Sequence, residues 1–306
     1  MHRTSRPATQ PSRRQVLARG AALTISAPAL ASCAAPGRGR GGTGPSTVSP
    51  SGPVRSAPGA HGAAGAALDL PDRSEIEDRF GNRLPRTWST HPAGAAVRFS
   101  APPGPRTLAL TFDACGGTVL QFDRRLIETL RAHRAKATLF VNQRWAEHHS
   151  REFEQLAQDP LFEIGNHGTR HVPLSVSGRS AWGIRGTASA GEVWDEVAGC
   201  ARFLAEHGLR PRFFRPGTAF ADDVAEEIVE ALGQRIASFS VNADGGATFP
   251  APAVMAEAVR APSGSVLIGH MNRPLSGTAE GIEAALSVLS AEGVRFVTMS
   301  EAFPED

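Results

Sequence analysis

The chain predicts an α/β fold, a parallel sheet covered by helices. Two observations predict it. From Arg106 to Phe303, apolar runs of strand length alternate with amphipathic stretches of helical length. The residues able to carry chemistry, Asp113, His167 and His270 among them, stand where a predicted strand gives way to a loop. About 200 residues in one such unit imply a barrel or a doubly wound sheet, with active residues at the C-terminal strand ends.

The strands expected in chain order are Thr107–Phe112, Ala137–Asn142, Phe162–Gly165, Phe213–Phe214, Ile236–Val241, Ser265–Gly269 and Arg295–Met299, about seven short apolar runs. Helices are expected between them. Gln121–His133 sets Phe122, Leu126, Ile127 and Leu130 on one face, and Gly191–His207 does the same with Val193, Val197, Cys200 and Leu204. Asp222–Leu232 carries Val224, Ile228 and Leu232 and is followed by Gly233, where a helix end favours positive φ. Ala279–Leu289 carries Ile282, Leu286 and Leu289. Val172–Ala190 reads as a long polar loop.

The N-terminal third is different. Arg13-Arg14, a short apolar stretch from Ala21 to Ala31, and Leu30-Ala31-Ser32-Cys33 occur in the order of a twin-arginine lipoprotein signal, so residues 1–33 are expected to direct export and Cys33 to become acylated. That apolar stretch is too short to span a bilayer. Residues 34–69 are Gly, Pro, Ser, Ala and Arg with almost no large apolar side chain, and read as a disordered tether. Residues 70–105 read as an N-terminal extension and 106–306 as the catalytic domain. The net charge is only +2, with part of the basic excess in the leader and tether, and nothing argues for nucleic acid. With three cysteines, one of them assigned to the signal, no disulfide framework is indicated; Cys200 reads as a buried core thiol. A monomer is expected.

Three clusters point to chemistry. His167 and His171 stand four apart and can share one metal ion. Asp113 ends an apolar run, and His270 ends another. A metal with a base and an acid at other strand ends is the layout of a metal-assisted hydrolase. Imidazole donors suit zinc, with cobalt or nickel as alternatives. Trp182 in the polar loop and Trp145 after a strand can stack on sugar rings, while core packing is the competing role for Trp145; Trp194 reads as core.

These motifs together resemble the polysaccharide deacetylases, the NodB homology domain of carbohydrate esterase family four. The resemblance rests on Thr111-Phe112-Asp113-Ala114, His167-Gly168-Thr169-Arg170-His171, Phe214-Arg215-Pro216-Gly217, Asp244 after Val241-Asn242-Ala243, and Leu267-Ile268-Gly269-His270. Asp-Ala-Cys in the first motif is similar to one subgroup of that family. The resemblance implies a distorted (β/α) barrel of about seven parallel strands and removal of N-acetyl groups from an acetylated glycan. It also implies Asp113 as general base oriented by Arg215, and His270 as general acid supported by Asp244.

The chain departs from the family pattern at Ala114. The family has an aspartate ligand there, and alanine offers no donor. Asp113 or Cys115 can complete the site, or no catalytic metal binds. Gly168 also removes a hydroxyl that can fix the histidine loop. The expectation is an exported, lipid-anchored, metal-dependent N-deacetylase of a cell-envelope polysaccharide. The alternatives are a glycan-binding lipoprotein with a degenerate metal site, and a metal-sensing lipoprotein.

Overall fold

The computed structural model describes residues 68–117 and 120–305; the expected signal, Cys33 included, and the tether up to residue 67 lie outside the described residues. The chain opens with α1 (Arg73–Phe80), started by a capping box between Asp72 and Glu75. A short strand β1 (Trp88–Ser89) follows. Then come β2 (Thr107–Ala114), α2 (Arg124–Ala132), β3 (Ala137–Val141), α3 (Gln143–His148), α4 (Ser150–Ala157) and β4 (Phe162–Asn166). The loop expected at 172–190 holds a small hairpin, β5 (Ser180–Ala181) and β6 (Ile184–Arg185), turning through Trp182 and Gly183, both at positive φ. The second half comprises α5 (Ala190–Glu206), β7 (Phe213–Phe214), β8 (Ala221–Asp222), α6 (Asp223–Ala231), β9 (Arg235–Ile236), β10 (Val241–Asn242), α7 (Ala251–Arg260), β11 (Ser265–His270), α8 (Thr278–Ala291), β12 (Arg295–Val297) and α9 (Met299–Ala302).

Among the described residues the main sheet runs β10-β11-β2-β3-β4-β7-β9, all in parallel, with β12 also paired to β2. This is a curled parallel α/β sheet of the expected class. β2 is its spine, buried at every position as a strand covered on both faces must be. Leu108, Leu110, Phe112 and Ala114 point into the largest apolar cluster, packed by α2, α8 and the wholly buried Trp145. α1 packs on α5 and α6 around Ile76, Phe80 and Trp194. No helix among the described residues is long and apolar enough to cross a membrane.

One expected strand divides. Ile236–Val241 reads as one apolar run, yet Arg235–Ile236 pairs at one edge of the sheet and Val241–Asn242 at the other. The residues between them still bond to both edges: Ala237 N–H donates to Phe214 O at 2.8 Å and Ser240 N–H to Val266 O at 2.9 Å. The two edges therefore lie a short chain crossing apart, and the sheet is curled almost into a closed barrel. Residues 96–99 enter this seam. Ala96 bridges Ala237, Arg98 bridges Ser265, and Phe99 N–H donates to Gly264 O at 3.0 Å. A Cβ at residue 264 would stand 2.2 Å from Phe99 O, so only glycine permits this approach.

Candidate active site

Asp113 sits near the C-terminal end of β2, on the face opposite Phe112 and Ala114, and is 3 % exposed. A carboxylate that deep needs a partner. Arg215, just past β7 and itself fully buried, donates from Nη1 to Asp113 Oδ1 at 2.7 Å and to Thr111 Oγ1 at 2.8 Å. Its Nε and Nη2 reach the carbonyls of Ala237 and Ser238 at 3.2 and 3.1 Å, and its guanidinium lies 4.1 Å over the Phe140 ring. The seam-crossing segment thus also supplies the acceptors that hold Arg215. Burial pushes the Asp113 carboxyl up, but Arg215 and the nearby imidazoles outweigh it and hold it below its ordinary value.

The histidine loop follows β4. His167 is 1 % exposed, and its Nδ1 lies 2.7 Å from Arg215 O. A carbonyl only accepts, so Nδ1 carries the proton and Nε2 keeps its lone pair in the neutral ring. Asn142 Nδ2 donates to the carbonyls of His167 and Gly168, at 3.1 and 2.7 Å. Gly168 has φ +76°, and a Cβ there would stand 2.2 Å from Glu196 Oε1. Glu196, fully buried on α5, accepts from Thr169 Oγ1 at 2.9 Å, from the Arg170 N–H and Nε, and from the His171 N–H at 2.9 Å. This carboxylate holds the loop that the hydroxyl absent at residue 168 was expected to fix. Sequence reading passed over Glu196, although its signal was visible: an acidic residue on the same helical stripe as Val193 and Val197. His171 adopts φ +62°, and its Nε2 is buried with no hydrogen-bond partner.

His270 ends β11, and Asp244 follows β10. Asp244 is fully buried, takes the His270 N–H at 2.8 Å and the Thr278 hydroxyl at 2.9 Å on Oδ2, and meets His270 Nδ1 at 3.0 Å from Oδ1. It also accepts the Gly246 N–H, so it shapes the turn and orients the imidazole at once. Burial opposes charge on His270, yet the Asp244 carboxylate and its hydrogen bond raise the imidazole well above its ordinary value. Asp244 is held low in return: burial works against it and the His270 charge outweighs that.

Cys115 Sγ lies 3.9 Å from His167 Nε2, and Cys115, His167 and His171 present ligand atoms all within 4.8 Å of one another. Burial raises this thiol, but the surrounding imidazoles bring it well below its ordinary value. A metal fits here, because three ligand atoms lie close together, the donors are N and S, and His171 carries a buried nitrogen without a hydrogen-bond partner. Asp113 approaches His167 at 3.7 Å but is not part of the three-residue cluster. Asp113, Cys115, His171 and His270 line a cleft of about 920 Å³, together with Arg144, Arg170, Trp182, Ile184 and Arg273. Trp182 is 80 % exposed and makes an edge contact with Phe220. Trp145 and Cys200 are both in the core, the latter pushed up to about 12 by burial.

The expected site residues thus meet from separate strands at one end of the sheet. The family profile described as polysaccharide deacetylase matches residues 100–237, a span holding Asp113, His167, His171 and Arg215. A peptidoglycan-N-acetylglucosamine deacetylase of Bacillus cereus is 25% identical over 245 residues, 76% of this chain and 82% of the relative. Two solved structures share the fold. One is a peptidoglycan N-acetylglucosamine deacetylase in complex with 4-naphthalen-1-yl-N-oxidanyl-benzamide, at TM-score 0.56 and 24% identity over 69% of this chain and 94% of that one. The other is a wild-type carbohydrate esterase family four pseudoenzyme of Bacillus anthracis, at TM-score 0.53 and 23% identity over 65% and 66%. Residues 100–237 thus match the polysaccharide deacetylase family, and the chain has the NodB-like α/β fold of the carbohydrate esterase family four structures.

Proposed function

We propose that this protein is an exported, lipid-anchored, metal-dependent hydrolase that removes N-acetyl groups from a cell-envelope polysaccharide. One observation carries the chemistry: an oriented carboxylate, His171 with the buried His167 beside it, and a carboxylate-backed imidazole meet at one cleft. The leader motifs ending at Cys33 support export and anchoring, and the B. cereus relative supports an acetylated amino-sugar polymer as substrate.

His167 and His171 would hold a divalent ion, zinc by donor type, with cobalt or nickel also suited. When bound, such an ion lowers the pKa of a water to about 7 and polarises the acetyl carbonyl. The chain's own residues move the protons. Asp113, ionised and fixed through Oδ1 by Arg215, accepts a proton from the attacking water on Oδ2. His270, with Nδ1 held by Asp244, donates from Nε2 to the leaving sugar nitrogen. Trp182 and Ile184 offer the cleft edge an apolar surface for a pyranose face.

The alternative is a glycan-binding lipoprotein without activity. Ala114 favours it, since the family's ligand is missing there, and so does a pseudoenzyme among the fold relatives. Acetate release from an N-acetylated glucosamine polymer separates the two. The hydrolase reading expects release by the wild-type chain and loss of about two orders of magnitude or more in Asp113→Asn and His270→Ala. Binding of the polymer with no acetate released by zinc-, cobalt- or nickel-loaded protein would establish the alternative.

A further inference from the structure

We propose that Cys115, as a thiolate, is the third protein ligand of a Cys-His₂ site for a thiophilic divalent ion, with His167 and His171 as the other two. The inference rests on the metal-dependent reading above and names the donor which that reading leaves open.

Position along the strand is the first argument. Ala114 is wholly buried in the apolar cluster with Leu110 and Phe112, while Asp113 and Cys115 line the cleft. Cys115 follows directly on the last residue of β2, and its side chain shares the cleft with Asp113. The donor lost at 114 is thus available one residue further along, on the side where the histidines stand.

Geometry is the second. A tetrahedral zinc site with ordinary Zn–S and Zn–N bonds has a sulfur-to-nitrogen edge of about 3.5 Å. The observed Sγ to His167 Nε2 separation is 3.9 Å, and all three donors fall within 4.8 Å. His167 Nδ1 is committed to Arg215 O, which leaves Nε2 for a metal, and His171 Nε2 is buried without a partner. Asp113 is a poorer candidate. Its Oδ1 is taken by Arg215, and it lies outside the cluster.

The two ligand loops also share an anchor. A Cβ at Gly116 would stand 1.7 Å from Asn142 Oδ1, so the chain turns after Cys115 directly against Asn142. The same side chain holds the carbonyls of His167 and Gly168. One buried asparagine therefore fixes the thiol and the histidine loop relative to each other. Among the described residues the other free cysteine, Cys200, is in the core, in contact with Val141 O. A thiolate also supplies the same single negative charge as the missing carboxylate. It shifts preference toward zinc and cobalt and away from magnesium, calcium and manganese.

The test uses the full-length chain, stripped with a chelator and reloaded with cobalt(II) or zinc. Cobalt-loaded wild type should show a thiolate-to-cobalt charge-transfer band in the near ultraviolet. Cys115→Ser should lose the band and weaken zinc binding at least tenfold in competition with a chromophoric chelator, with an unchanged thermal melt of the metal-free protein. Cys115→Asp should lose the band and recover most of the affinity. Two results would overturn the proposal and spare the metal-dependent reading: a cobalt-loaded wild type without the band, or zinc held as tightly by Cys115→Ser as by wild type while His167→Ala holds none. If wild type binds neither ion, the metal-dependent reading falls and this proposal with it.

Discussion

Replacing Arg215 by methionine should cost more stability than any surface change, and the structure says why. The guanidinium is fully buried and donates to Asp113, Thr111, Ala237 O and Ser238 O. Methionine fills much of the volume over Phe140 but donates nothing. Breaking a buried pair on one side typically costs about 3–5 kcal/mol, because the other charge stays buried alone. Set against a total stability of about 5–15 kcal/mol, that is a large fraction. In urea, with a slope of about 2 kcal/mol/M, the midpoint should fall by about 2 M. Asp113→Asn in the same chain removes the stranded charge and should recover at least about 1 kcal/mol, a coupling measurable in a double-mutant cycle. The penalty should depend on pH in one direction. In wild type Asp113 is held below its unfolded value, so its contribution is present above that value and is lost as pH falls through the folded one. Without Arg215, burial is opposed only by the His167 and His270 imidazoles, and the carboxyl rises. The deficit of Arg215→Met should then be full at pH 7 and shrink as pH falls below about 5. A variant less than 1 kcal/mol destabilised, or a cycle with no coupling, would refute this account of the pair.

Asp244→Asn should lower the His270 pKa, shift the alkaline limb of kcat/KM to lower pH and cut the rate at pH 8 about tenfold. The raised His270 stabilises the fold below its unfolded value and loses this as pH rises through the folded one, so Asp244→Asn should destabilise more at pH 6 than at pH 10; an unmoved alkaline limb would remove Asp244 from this role. Glu196→Gln turns an amide N–H₂ toward donors that need an acceptor, and should cost about 1–3 kcal/mol. It should also loosen zinc about tenfold or more in chelator competition; unchanged affinity would make Glu196 purely structural. Trp182→Ala should leave the melt unchanged and raise KM for a polymer about threefold to tenfold with kcat intact, whereas an unchanged KM would place the substrate elsewhere.

Much of this fold is legible because the central strands are buried on both faces. Thr107–Phe112, Ala137–Asn142 and Ser265–Gly269 read as unbroken apolar runs, and the observed strands start at the same residues and end within two of the expected ends. Asp123 and Asp222 fell inside expected helices but are their N-caps, a boundary difference that periodicity cannot resolve. The run Ile236–Val241 misled for a physical reason: apolar residues crossing a barrel seam look like apolar residues in a strand. α3 and α4 were passed over because Trp145, Ala146, Phe153 and Leu156 give too few periodic positions to register. In the site, residues with distinctive chemistry were readable one at a time. Their supports were not. The contacts of Glu196, Asn142 and Thr278 are set by the tertiary path, and an acid on a buried helical face was the one local sign available.

We propose that the cleft is a metal-dependent deacetylase site. Acetate released from an N-acetylated glucosamine polymer, followed while zinc is returned to chelator-stripped full-length protein, tests it most directly. Release should be near zero at the start, rise in proportion to added zinc and level off at one equivalent per chain. Equal release with and without metal, or none after a full equivalent of zinc, cobalt or nickel is bound, would contradict the claim.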